Sequence, residues 1–196
     1  MKFSILAIAA ASAMAIAATS AGAVTVTGAT KITITNAVPT WLQVAEVQAF
    51  NFTPINVALA SNGGMAIGSS EYDSTTPAAR AIDGNTGGNY GFGEIFHSAS
   101  PGGGEFLNIS FAASNLSSLS IFGRTDAGNN RDVYNVTIFN ALGSTLYSGQ
   151  LSAVGQTATV NFDAAVVPEP GSWALMVVGF GLVGFAARRR SASAAA

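Results

Sequence analysis

The sequence predicts an all-β domain, an antiparallel β-sandwich or jelly roll, set between two apolar ends. Three observations carry that prediction. Short runs alternating apolar with small polar residues, rich in Val, Ile and Thr, recur through the middle of the chain. Clusters of Gly, Asn and Asp separate them. No stretch between Val24 and Val167 carries an apolar stripe at the 3.6-residue spacing of a helix.

The elements follow in order. Residues 1–23 place Lys2 ahead of an uncharged run from Phe3 to Ala18 and end on Ala21-Gly22-Ala23, the pattern of a secretory signal peptide cut by signal peptidase after Ala23. Val24–Thr27, Lys31–Thr35, Leu107–Phe111, Leu119–Phe122 and Val136–Phe139 read as half-buried strands, because alternate positions are apolar. Asn62-Gly-Gly64, Asp83–Asn89 and Gly102-Gly-Gly104 read as loops, and Ala141-Leu-Gly-Ser144 as a hairpin turn. Trp173–Ala187 is uncharged and stops against Arg188-Arg189-Arg190, which predicts a transmembrane helix that anchors the precursor transiently in the inner membrane, its last residues cytoplasmic. Residues 191–196 are expected to be a disordered tail.

Composition narrows the chemistry. The chain has no Cys and one His, which excludes a disulfide scaffold, Cys-ligated zinc, iron–sulfur clusters and thiol catalysis. The net charge of −2, without a basic stripe, argues against nucleic acid. Between Val24 and Val167 four basic residues stand against nine acidic ones, a net of −5, and two of the three arginines there bracket one loop, Arg124-Thr-Asp-Ala-Gly-Asn-Asn-Arg131. Two guanidinium forks at a strand end make a donor-rich mouth suited to sugar hydroxyls. The bland alternative is that Arg124–Asp126 and Arg131–Asp132 are local ion pairs that hold the loop. Glu71 and Asp73 have no convergent partner in the sequence, and no Ser-His-Asp order matches a catalytic pattern, so no enzyme is expected.

Two resemblances add to this. Pro168-Glu169-Pro170-Gly-Ser-Trp-Ala174, then a Gly-bearing apolar run, then Arg188 to Arg190, resembles the PEP-CTERM protein-sorting tail of Gram-negative bacteria. It implies an exosortase-type transpeptidase cutting near Pro168-Glu169-Pro170, with the mature protein at the cell surface or released. Within the domain, His97, then Arg124-x-Asp126-x-x-x-x-Arg131, together with Asn56–Leu59, Ser69-Ser70 and Ala78–Asn85, resembles the F-type lectins of the discoidin, F5/8 type C group of galactose-binding-like domains.

That second resemblance implies a saccharide or exopolysaccharide ligand held by His97, Arg124 and Arg131, with Asp126 fixing an arginine fork. It also implies a structural Ca²⁺ at Asp83 and Asn85, assisted by Glu46. The strand Trp41–Phe50 is similar to the family's last strand yet precedes Asn56–Leu59, which implies a domain permuted in sequence. Ala127-Gly128 stands where sugar-binding members carry adjacent cysteines, and Tyr90, Phe92 and Phe96 are the candidate replacement platforms. The leading expectation is an exported, non-catalytic carbohydrate-binding protein; the alternative is a structural matrix or biofilm protein with no saccharide site.

Overall fold

The computed structural model describes residues 24–127 and 129–165, together with residues 177, 178 and 180. The signal peptide with Ala23, the Pro168-Glu169-Pro170 motif, the Arg188–Arg190 cluster, the 191–196 tail and, apart from those three positions, the apolar run before the arginines lie outside the described residues. Val177, Val178 and Phe180 are helical and exposed, and no helix among the described residues is long and apolar enough to cross a membrane.

The domain is all-β, with nine strands among the described residues: β1 (Val26–Asn36), β2 (Trp41–Val44), β3 (Glu46–Asn51), β4 (Met65–Gly68), β5 (Phe96–Pro101), β6 (Phe106–Phe122), β7 (Val133–Asn140), β8 (Thr145–Ser152) and β9 (Thr157–Asn161). Every pairing is antiparallel. One sheet runs β3-β6-β1-β7-β8, with β4 and β9 also paired to β6, and β2 pairs β5 separately.

β6 organises the fold. Its first half, Phe106 to Leu116, pairs with β1 and, through Leu107–Ser110, with β4. Its second half, Leu116 to Phe122, lies between β3 and β9. Leu107, Ile109 and Phe111, then Leu116, Leu119 and Ile121, are buried, while Ala112 and Ala113 between them are exposed. The sequence pattern predicts two strands here, because Ala-Ala-Ser-Asn interrupts the alternation. The backbone instead continues through the interruption as one 17-residue strand, since pairing persists on both sides of it. Likewise the two predicted strands at Val24–Thr27 and Lys31–Thr35 are one, β1, which absorbs the extra residues in a bulge at Gly28 (φ 70°), where the left-handed backbone favours glycine. The run Trp41–Phe50, read as one strand, is broken at Ala45 into β2 and β3.

Inward residues of β1 (Ile32, Ile34), β2 (Leu42, Val44), β3 (Val47, Ala49), β6, β7 (Val136, Ile138) and the 3-10 turn Ala78–Ile82 form one apolar core. Burying each such Ile or Leu fully stabilises the fold by about 1.5–3 kcal/mol. The predicted hairpin turn joins β7 to β8, where Asn140 Oδ1 accepts from the Leu142 and Ser144 N–H groups at 3.0 and 2.9 Å.

Candidate functional site

Four segments converge where β6 ends. Trp41 opens β2; His97 lies on β5 opposite Gln43; Tyr72 follows β4, its N–H donating to His97 O at 2.8 Å; Tyr90 sits on the 3-10 turn Tyr90–Phe92. Arg124 leaves β6, and Arg131 ends the 3-10 turn that enters β7. These six residues line one open cleft of about 220 Å³. The structure therefore brings His97, Arg124 and Arg131 together, across 34 positions of sequence.

His97 forms the floor. Its ring stands 4.8 Å from Tyr72, 5.6 Å from Tyr90 and 6.4 Å from Trp41, centroid to centroid. Nδ1 faces Ser98 O at 2.8 Å and Nε2 faces the Gln43 amide nitrogen at 3.2 Å. A carbonyl oxygen only accepts, so Nδ1 carries the proton and Nε2 accepts from Gln43. Burial holds the imidazole below its ordinary pKa, and the charges of Arg124 and Arg131 push the same way, so the ring is neutral. Both nitrogens of His97 are thus engaged within the protein, and the residue organises the aromatic ring set.

The arginines are positioned by rings and carboxylates. Arg124 lies 4.8 Å over Tyr90, and its Nε and Nη2 donate to Asp126 Oδ1 and Oδ2 at 2.6 and 3.0 Å. That bidentate fork lowers the Asp126 pKa to about 2. Asp126 Oδ1 also accepts from the Tyr90 N–H at 3.3 Å, so it ties the arginine loop to the aromatic turn. Arg131 lies 5.8 Å over Trp41, with Nη1 3.5 Å from Thr40 Oγ1. Asp132, which the sequence offered as an ion-pair partner of Arg131, is buried and accepts from the Arg124 N–H at 2.7 Å. Burial raises its pKa to about 7.

Next to the cleft, the loop bearing Asp83 and Asn85 docks on the head of β3. Thr125 is bonded to Gly87 and Gly88 carbonyls, and the Gly84 N–H donates to Glu46 Oε2 at 3.2 Å. Asp83 Oδ1 and Asn85 Oδ1 accept from the N–H groups of Asn85 and Gly87 at 2.8 and 2.9 Å. Glu46 is fully buried and its Oε1 has no partner. Burial, with the nearby charge of Asp83 adding to it, raises the Glu46 pKa to about 8. An orphaned carboxylate oxygen beside a second carboxylate fits a hard cation, which would supply the missing charge. No group of three or more His, Asp or Glu residues among the described residues is placed to hold a metal, so backbone, amide and water oxygens would have to complete any shell.

Other candidates have ordinary duties. Phe96 is core, and Phe92 is exposed outside the cleft, so of the three candidate platforms Tyr90 alone lines it. Trp41 and Tyr72 were not legible as site residues, because an aromatic at a strand start or in a loop looks the same whether it packs or contacts a ligand. Glu71 caps the turn at Ala78, accepting its N–H at 3.0 Å, and Asp73 caps Thr75 at 2.8 and 2.6 Å.

Comparison with known proteins adds to the end of the chain. Residues 166–190 match the PEP-CTERM protein-sorting motif. An all-β domain followed by that motif is the precursor of an exported protein, anchored in a membrane until an exosortase processes it and sorts it to the cell surface. No curated protein and no solved structure matches the chain.

Proposed function

We propose that the cleft at the end of β6 binds a saccharide, and that the protein is a non-catalytic, lectin-like module on a galactose-binding-like sandwich, displayed at the surface or in the exopolysaccharide matrix of a Gram-negative cell. The observation that supports this best is the pairing of each guanidinium with an aromatic face, Arg124 on Tyr90 and Arg131 on Trp41, around one cleft. A stacked guanidinium keeps its in-plane N–H donors for hydroxyls while the ring beneath fixes its position. Of the three aromatic residues lining the cleft, Tyr72 is the one more than half exposed, at 53%, and it serves as the platform for the apolar face of the sugar. His97 and Asp126 hold this set in place.

Calcium is part of the same proposal. Glu46 and Asp83 would supply the charged ligands, with Asn85 and loop carbonyls completing the shell, and the ion would brace the 83–89 loop against the arginine loop.

The test is glycan-array binding by the full chain in detergent, with and without Ca²⁺. Binding to a defined subset of glycans is expected, and loss of it in Arg124→Ala and Arg131→Ala. Absence of binding under both conditions overturns the lectin proposal and leaves a structural matrix role. Binding unchanged by both substitutions moves the site elsewhere. Millimolar Ca²⁺ should raise the melting temperature, since a ligand that binds only the folded state stabilises it; no shift removes the ion.

A further inference from the structure

We propose that a second, uncharged cleft at the opposite end of the β3–β6 pair is an independent binding site for a neutral saccharide. It is open, has a volume of about 340 Å³ and is lined by Asn51, Phe52, Thr53, Ala113, Ser114 and Asn115. β3 and β6 pair from Glu46 opposite Phe122, beside the first cleft, to Asn51 opposite Leu116, beside the second. Five steps along a strand separate the two ends by about 17 Å.

The amide groups of this cleft are oriented by chemistry. Asn51 Oδ1 accepts from the Thr53 N–H, the Thr53 hydroxyl and the Ile55 N–H at 3.0, 2.9 and 2.9 Å. Asn115 Oδ1 accepts from the Gly28 N–H at 3.0 Å. A backbone N–H can bond only the oxygen of a side-chain amide, so neither amide can be flipped without losing these bonds. Both amino groups are therefore fixed facing away from the bonds that hold the oxygens, and neither Nδ2 has a hydrogen-bond partner among the described residues. Two preset N–H₂ donors line the cleft with Phe52, a residue about half exposed at 48%.

This is the pattern of a small-ligand site, a few placed polar groups against an apolar surface. With no ionisable side chain in the lining, an anionic or cationic ligand finds no counter-charge. A pyranose offers hydroxyl acceptors to the amides and an apolar C–H face to the ring. The cleft is separate from the first, and with both occupied one domain bridges two glycan chains.

The experiment is affinity electrophoresis of the full chain in detergent through gels containing dextran, galactomannan or laminarin. The Arg124→Ala/Arg131→Ala double variant should still be retarded in at least one of these gels. On that background Phe52→Ala should weaken the affinity about tenfold or more, Phe52→Tyr should retain it, and Ala113→Arg, which fills the cleft and removes no contact, should abolish it. Free migration of the double variant in all three gels overturns the proposal. So does retardation unchanged by both Phe52→Ala and Ala113→Arg.

Discussion

The two ends of the β3–β6 pair are made from the same two strands and carry opposite chemistry. At the Glu46–Phe122 end the chain gathers two guanidiniums, three aromatic rings and the buried carboxyls of Glu46 and Asp132. At the Asn51–Leu116 end it places amides, hydroxyls and one ring, with no charge in the lining. The first end is shaped by titratable groups whose pKa values are moved to about 2, 7 and 8 at Asp126, Asp132 and Glu46. The second is shaped by side-chain amides satisfied by backbone N–H groups, which do not titrate. Buried carboxyls with raised pKa values oppose folding when ionised. The charged end should therefore be the sensitive one, to mutation and to pH alike.

The sharpest way to break the charged end is Gly123→Ala. A Cβ there would lie 2.4 Å from Asp132 Oδ2 and 2.9 Å from Ala153 O, and the second of these is backbone that cannot step aside cheaply. The substitution should cost about 3 kcal/mol, read by urea unfolding, and should also weaken glycan binding at the first cleft, because Asp132 holds the Arg124 N–H. Wild-type stability would mean that the loop is slack and the cleft is not preset.

Next in size are the arginines. Arg124→Ala and Arg131→Ala should each weaken binding at the first cleft by roughly 10- to 100-fold, the range for hydrogen bonds to charged groups, with small changes in stability. Arg131→Lys should not restore it, since an ammonium lacks the planar fork that stacks on Trp41. Titration with a glycan identified on the array checks both. Full rescue by Lys would show that charge alone, and not the stacked geometry, is recognised.

How much of this contrast was legible in the sequence depends on the kind of residue. Rare charged residues on one loop pointed to Arg124 and Arg131, because in a chain with few charges their clustering stands out. Alternation identified the strands of β1, β6 and β7, since a half-buried strand must alternate. It misplaced the breaks, because Ala112–Asn115 and Gly28 look like interruptions in one dimension, whereas in three the β1–β6 pairing resumes on either side of them. Trp41 and Tyr72 stayed hidden, as did the second cleft. Asn51 is held by the neighbouring Thr53 and Ile55 N–H groups, but Asn115 joins it only because the distant Gly28 N–H occupies its oxygen, and no spacing rule encodes that meeting.

A pH profile separates the ends more finely. Asp132 has its pKa raised from an ordinary 3.8 to about 7 by burial, so between those values the folded state binds the proton that the unfolded chain has released. Its contribution to stability is complete below about pH 4 and falls as pH rises through 7. Asp132→Asn should flatten that decline, leaving the part from Glu46, which runs in the same direction up to about pH 8. Urea unfolding at pH 4, 5.5 and 7 measures it; an undiminished slope in Asp132→Asn would place the proton elsewhere.

The smallest expected effect tests whether the ends are independent. Asn115→Ala removes the acceptor of the Gly28 N–H and one donor of the second cleft. Gly28 sits in an exposed bulge where water can replace the lost partner, so the cost should be about 1 kcal/mol, near that of an ordinary hydrogen bond. Binding at the first cleft should not change. Combined with Arg124→Ala, the stability effects should add within about 0.5 kcal/mol, because Asn115 bonds Gly28 whereas Arg124 bonds Asp126 and Asp132 at the other end of β6. A larger coupling would mean that β6 transmits strain along its length through the bulged register at Gly28, and the two clefts would then have to be treated as one cooperative unit.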